Sequence, residues 1–134
     1  MKKILAMVIS SVLALSMLVG CGGSGETNAG DGLKIAIVSS PSGVDDGNFN
    51  ENNYNGILAF IEKNEGATVT AVREEPGDVA AAVQAVADIV ADYDVIVCCG
   101  FQFAGIAEIA QENPDVYFIL DDANPTDASG TEVE

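Results

Sequence analysis

The sequence predicts an α/β domain: a parallel β-sheet with helices on both faces. Two observations carry that expectation. From Leu33 onward, β-branched apolar runs alternate with segments whose apolar residues recur at helical spacing, in the order strand, helix, strand, helix, strand, helix, strand. The first of those runs is nearly continuous in apolar content rather than alternating, as a strand buried on both faces requires. Such a repeat implies right-handed crossovers and a sheet covered on both sides.

Each element has its own signature. "LKIAIVSS" (33–40) is the first strand. Tyr54, Ile57, Leu58 and Ile61 come next at i, i+3, i+4 and i+7, one face of an amphipathic helix. "ATVTAVR" (67–73) is the second strand, and Glu75-Pro76-Gly77-Asp78 is a turn with Asp78 placed to cap the second helix. Val79, Val83, Val86, Ile89 and Val90 form the apolar stripe of that helix. "DVIVCCG" (94–100) is the third strand, Ala104 to Gln111 a short helix, and "DVYFIL" (115–120) the fourth strand, running into Asp121 and Asp122. As neighbours on a strand, Cys98 and Cys99 point to opposite faces. A disulfide between them would be strained, and they read as small buried hydrophobes with no redox role.

In parallel sheets ligands bind beyond the carboxyl ends of the strands, where the strand order reverses. Residues 41–50, 100–103 and 121–125 all lie at that edge. The first is the most unusual, because "SGVDDGNFNENNYNGI" (42–57) packs two Asp, five Asn, one Glu and a lone Phe49 into sixteen positions. A calcium loop would use Asp46, Asn48 and Asn50 as its first, third and fifth residues. Its turn Gly is replaced by Glu51, however, and its bidentate Glu by Ile57, so no metal is expected. A capped helix entry is the second reading, with Asn48 or Asn50 as cap and Glu51 three residues after Asn48. It leaves Phe49 either as a staple onto the helix or as a cover for a planar ligand, the third reading.

Composition narrows the function. The chain carries 5 basic and 21 acidic residues, a formal charge of −16, and no His. So acidic a surface repels phosphate backbones and anionic lipid, which disfavours nucleic-acid partners. The missing His removes His-based acid–base chemistry, His-dependent triads and the commonest zinc ligand. There is no G-x-G-x-x-G after the first strand, no P-loop and no nucleophile elbow. An enzyme is therefore not expected, and neither is a cofactor.

The amino terminus sets the compartment. Lys2 and Lys3 precede the apolar run Ile4 to Val19, the pattern of a secretory signal. Leu18-Val19-Gly20-Cys21 comes at once and resembles the lipobox of bacterial lipoproteins. That resemblance implies a signal peptide over residues 1–20, diacylglycerol on the Cys21 thiol, and a location on the extracytoplasmic face of the cell membrane. More than one acyl chain makes such anchoring durable. A plain membrane helix competes, since the run is nearly long enough to span. Yet only the loose stretch Gly22 to Asp31 comes after it, with no polar anchor. Residues 21–32 read as a lipidated flexible tether, and residues 33–134 as the folded part.

Two motifs carry a second resemblance. Asp45-Asp46-Gly47-Asn48-Phe49-Asn50, directly after the first strand, is similar to the "DD-x-S-F-N" segment of the basic membrane protein family. "VIVCCGFQFAGIAEIAQENPDVYFILDD" (95–122) resembles that family's strand, "G-F-x-F" turn, helix and Asp-terminated strand. With the lipobox, the likeness covers most of residues 18 to 125. These are bacterial lipoproteins that bind purine nucleosides for ABC importers. The resemblance implies a periplasmic-binding-protein type I fold, a Rossmann-like parallel sheet in each of two lobes joined by a hinge. It implies a purine nucleoside as ligand and an ABC transporter permease as partner. The ligand-binding residues it implies are Ser40, Asp46, Asn48, Phe49, Asn50, Gly100, Phe101 and Asp121. Phe49 would stack on the purine with the Asn beside it on the base, and Asp121 would take ribose hydroxyls. Ser39-Ser40-Pro41 stands where many relatives have an Asp, which changes one contact.

Family members are two to three times longer, so this chain is expected to be an incomplete first lobe, its sheet ending on an open edge. A receptor for another small polar ligand, such as a sugar or signalling molecule, and a truncated product that binds nothing are the alternatives. The amino terminus alone yields one testable expectation. Cys21→Ser should release the chain from membranes without altering its fold, because anchoring rests on lipid. Membrane pelleting of that variant in high salt would instead indicate an uncleaved helix.

Overall fold

The computed structural model describes residues 32–133. The apolar leader, Cys21 and the tether up to Asp31 lie outside the described residues. Four strands and three α-helices alternate as expected: β1 (Lys34–Ser39), α1 (Phe49–Ile61), β2 (Thr68–Arg73), α2 (Val79–Ile89), β3 (Val95–Cys99), α3 (Ala107–Glu112) and β4 (Tyr117–Asp121). All pairings are parallel and the strand order is β2-β1-β3-β4.

That order results from where the helices pack. Along β1 successive side chains alternate between faces, and both sets are apolar. Ala36 and Val38 join Ile96 and Cys98 of β3 beneath α2, which contributes Ala82 and Val86. Ile35 and Ile37 join Val97 and Cys99 on the opposite face, where Tyr54 and Ile57 of α1 cover them. Helix α1 therefore carries the chain to β2 on one side of β1, and α2 carries it back across to β3 on the other. The direction of winding reverses between β1 and β3. Helix α2 starts where the turn predicts, with the Asp78 carboxylate accepting from the Ala81 N–H at 2.9 Å.

Cys98 and Cys99 point into opposite cores, and both are free and buried. Burial pushes each thiol up to about 12, helped at Cys99 by the carboxylates of Asp121 and Asp46. Both stay neutral and chemically quiet at physiological pH.

Three details depart from expectation. The helix read over Ala104 to Gln111 is preceded by a tight 3-10 segment, Phe101–Ile106, and α3 itself begins at Ala107. Phe103 is fully buried under α2, and its N–H bonds back to the Gly100 carbonyl at 3.2 Å, which draws the chain into the tighter turn. Val79 opens the stripe of α2 but, as the first residue of the helix, is 53% exposed and joins neither core. On β4 the face shared with α1 is uncovered, leaving Tyr117 and Ile119 exposed. The core is thus two-sided at β1 and β3 and one-sided at β4.

This division of burial sets the expected mutational costs. Ile96→Ala, at a fully buried position, should lower unfolding free energy by about 2–5 kcal/mol. Ile119→Ala on the open face should change it by no more than about 0.5 kcal/mol. Urea denaturation of the two variants checks the contrast, and equal losses would show that the β4 face is covered in solution.

Candidate functional site

Strands β1, β3 and β4 all end at the same edge, and the reversal between β1 and β3 opens a crevice there. The loop leaving β1 is shaped by local hydrogen bonds. The Gly43 N–H closes a turn on the Ser40 carbonyl at 3.0 Å, with Gly43 buried in the left-handed region at φ 76°. Asp46 then organises the helix entry. One of its oxygens accepts from the N–H groups of Asn48 at 2.9 Å and Glu51 at 3.1 Å, and the other accepts from Asn50 at 3.3 Å. These are the orphan donors of the first turn of α1. The cap is therefore Asp46, not Asn48 or Asn50: Asn48 holds the cap position in the backbone but makes no side-chain bond there. Glu51 does reach back, but to the Gly47 N–H, at 2.8 Å. With both Asp46 oxygens engaged by the backbone, the loop is built as a helix entry rather than as a cation cage.

Asn50 has a different role. It is 3% exposed, and its side-chain N–H donates to the Ser40 hydroxyl at 3.0 Å, tying the start of α1 to the end of β1. Among the described residues its Oδ1 takes no hydrogen bond, so the amide has an acceptor left over at the crevice.

Six of the eight sequence-predicted residues meet around one open cavity of about 230 Å³: Ser40, Asp46, Phe49, Asn50, Gly100 and Phe101. Two aromatic side chains mark its rim. Phe49, the first residue of α1, is 37% exposed and joins neither core, and Phe101 is 73% exposed. Phe49 lines the cavity from the first turn of its helix. Gly100 sits where β3 enters the turn, at φ 116°. The positive φ calls for glycine, while the near atom a Cβ would meet, the Gln102 side-chain oxygen, ends a flexible side chain that can move aside.

The other two residues fall outside the lining. Asn48 is exposed on the loop. Asp121 pairs in register with Cys99, and its backbone carbonyl accepts from the Gly100 N–H at 3.0 Å. Its carboxylate contributes to holding the Cys99 thiol above its ordinary value.

Three lining residues escaped sequence reasoning: Cys99, Gln102 and Asp122. Gln102 lies inside the "GFQF" turn, and its amide donates to the Cys99 carbonyl at 3.2 Å. Asp122 comes directly after Asp121 and takes the left-handed conformation at φ 64°, which swings the chain round so that the second Asp of the pair faces the crevice. The adjacent Asp pair was the only available signal, and it does not say which member turns inward.

The comparisons with known proteins agree with this architecture. A family model, Bmp, described as ABC transporter substrate-binding protein PnrA-like, matches residues 33–131. Among solved structures the chain is similar to an ABC transporter solute-binding protein from Conexibacter woesei DSM 14684, at 25% sequence identity and a TM-score of 0.51. The match covers 64% of this chain and 28% of that one, so this chain spans well under half of its length. No curated protein matches. Among the described residues no helix is long and apolar enough to cross a membrane.

The Asp46 cap yields a pH dependence. Burial pushes its carboxyl up, but the N–H groups of Asn48, Glu51 and Asn50 outweigh that and hold it below the ordinary value of 3.8. A depressed folded pKa gives stability that is complete above the unfolded value and is lost as pH falls through the folded one. Asp46→Asn should therefore be less stable than the parent at pH 6, with the gap closing below about pH 3.8. Thermal unfolding across that range reads the gap, and a gap independent of pH would remove the carboxylate from the capping role.

Proposed function

The chain belongs to the Bmp family of PnrA-like ABC transporter substrate-binding proteins, and from that premise we propose that it holds a purine nucleoside for an importer. In this reading lipid on Cys21 keeps it at the extracytoplasmic face of the membrane, where the transporter takes over the ligand. The observation that carries the proposal is the pair of exposed aromatic side chains, Phe49 and Phe101, at the rim of a polar-floored crevice.

Each part suits a nucleoside. A ring face stacks on a flat base, and the apolar area it covers needs no particular base identity. The spare Oδ1 of Asn50 accepts from a base N–H while its amide nitrogen stays tied to Ser40. The carboxylates of Asp121 and Asp122 take vicinal ribose hydroxyls, each carboxylate being able to accept two such bonds. Capping holds the Asp46 carboxylate in its ionised form, so its negative charge favours hydroxyl and amine donors over phosphates, and nucleosides over nucleotides. The same carboxylates would also serve a sugar. That is the second reading, and it needs no aromatic partner for a base.

Ligands of two-lobed receptors are covered from both sides when the lobes close. The four-stranded lobe described here presents one side. If a complete receptor binds at about micromolar, roughly −8 kcal/mol, half the contacts correspond to roughly −4 kcal/mol, or millimolar. A protein-observed NMR titration of this chain with adenosine, guanosine, free bases and ribose should show millimolar nucleoside binding at Phe49, Asn50 and Phe101. Phe49→Ala should weaken it by roughly 1–3 kcal/mol, which takes it out of range. Asp121→Asn should weaken ribosides more than free bases. Ribose binding that survives Phe49→Ala would favour the sugar reading, and loss of stability with intact nucleoside binding would make Phe49 a helix staple.

A further inference from the structure

A second cavity, of about 480 Å³, lies beside the first at the end of β2. The two share Ser40, Phe101 and Gln102, but the second opens over the turn between β2 and α2, with Pro41 and Val79 as apolar walls. Glu74 lines it. This residue is 2% exposed, and its backbone N–H extends the sheet by donating to the Ser39 carbonyl at 2.9 Å. Its Oε1 accepts from the Gly77 N–H at 2.5 Å and closes the turn. Its Oε2 is buried without a hydrogen-bond partner, alone among the buried side-chain polar atoms of the described residues.

The turn does not require this arrangement. One oxygen is enough to hold the Gly77 N–H, and the second oxygen of Glu74 takes no part in the turn. A buried acceptor with no donor is costly, more so when it can carry charge. The described residues contain only three cations, Lys34, Lys63 and Arg73. Arg73 is the nearest in sequence, and it pairs outward with Glu75 at 3.0 Å, both side chains more than half exposed. Asp78, also on the cavity wall, spends one oxygen on the Ala81 N–H. The cavity thus combines negative character, an unmatched acceptor, two small apolar walls and the exposed ring of Phe101, and the protein provides no positive group of its own.

We propose that this second cavity is a binding subsite for a primary ammonium group carried on a short apolar body. The ammonium donates to Glu74 Oε2 after a small adjustment of the side chain, the body lies against Pro41 and Val79, and the ring of Phe101 faces the cation. The subsite is separate from the nucleoside reading and stands whether or not the adjoining cavity takes a base.

Propylammonium and its neutral counterpart 1-propanol are suitable probes, with binding read by protein-observed NMR on the full chain in non-ionic detergent. Propylammonium should shift the amides of Ser40, Gly77 and Gln102 saturably, with 1-propanol at least tenfold weaker. Glu74→Gln, which keeps the bond to Gly77, should weaken propylammonium at least tenfold. Val79→Trp fills the mouth of the cavity from an exposed position, leaves the carboxylate intact, and should have the same effect. Equal binding of the two probes, shifts elsewhere on the protein, or full propylammonium binding by either folded variant would overturn the proposal. Should Glu74→Gln fail to fold, Val79→Trp decides alone.

Discussion

Two central strands whose side chains are apolar on both faces must be covered on both faces, and the rest of this structure depends on that constraint. β1 sends Ala36 and Val38 to one side and Ile35 and Ile37 to the other. A single helical layer would leave half of them in water, at roughly 25 cal/mol for each Å² of apolar surface left exposed. Helix α1 therefore takes one face and α2 the other. Because each crossover is right-handed, placing successive helices on opposite faces sends β2 and β3 to opposite sides of β1. The crevice at the end of β1 and β3 is a geometric by-product of that burial.

The groups that shape the crevice are mostly engaged in building it. Asp46 holds three N–H groups of the α1 entry, Asn50 locks α1 to Ser40, and Gly100 lets β3 turn sharply into the Phe101–Ile106 segment. Left over from that construction are one amide oxygen, the two exposed rings, and the carboxylates at the end of β4. A polar loop that reads as simple helix capping thereby also keeps polar and aromatic groups at the crevice. Capping uses some oxygens and lets others face the solvent. Glu74 repeats the pattern on the next turn, with one oxygen spent on Gly77 and the other left without a donor.

Much of this is legible from residue order. The alternation of strands and helices, the cap at Asp78, the opposite orientation of Cys98 and Cys99, and the position of the polar junction at the carboxyl edge all come from periods of 2 and 3.6 and from turn chemistry. Spacing alone puts the cap of α1 on the wrong residue, because Asx residues at 46, 48 and 50 are chemically interchangeable as acceptors. Which one meets the N–H groups depends on the backbone angles of Gly43 and Gly47, both left-handed. Val79 belongs to the helical stripe by spacing, yet as the first residue of the helix it joins neither core.

The sequence by itself determined the class of fold, the edge of the sheet at which the polar junction lies, the acidic character of the chain, and membership of a solute-binding family through motifs that are local in the chain. Local patterns carry that information because they reflect periodicity, capping and turn formation, which involve residues a few positions apart. Only the tertiary structure decided that Asp122 rather than Asp121 lines the first cavity, that Gln102 belongs to both cavities, and that Glu74 is buried with an unmatched oxygen. Those facts depend on how strand ends, far apart in sequence, come side by side, and on which side chain each turn swings inward. No spacing within a single segment encodes them.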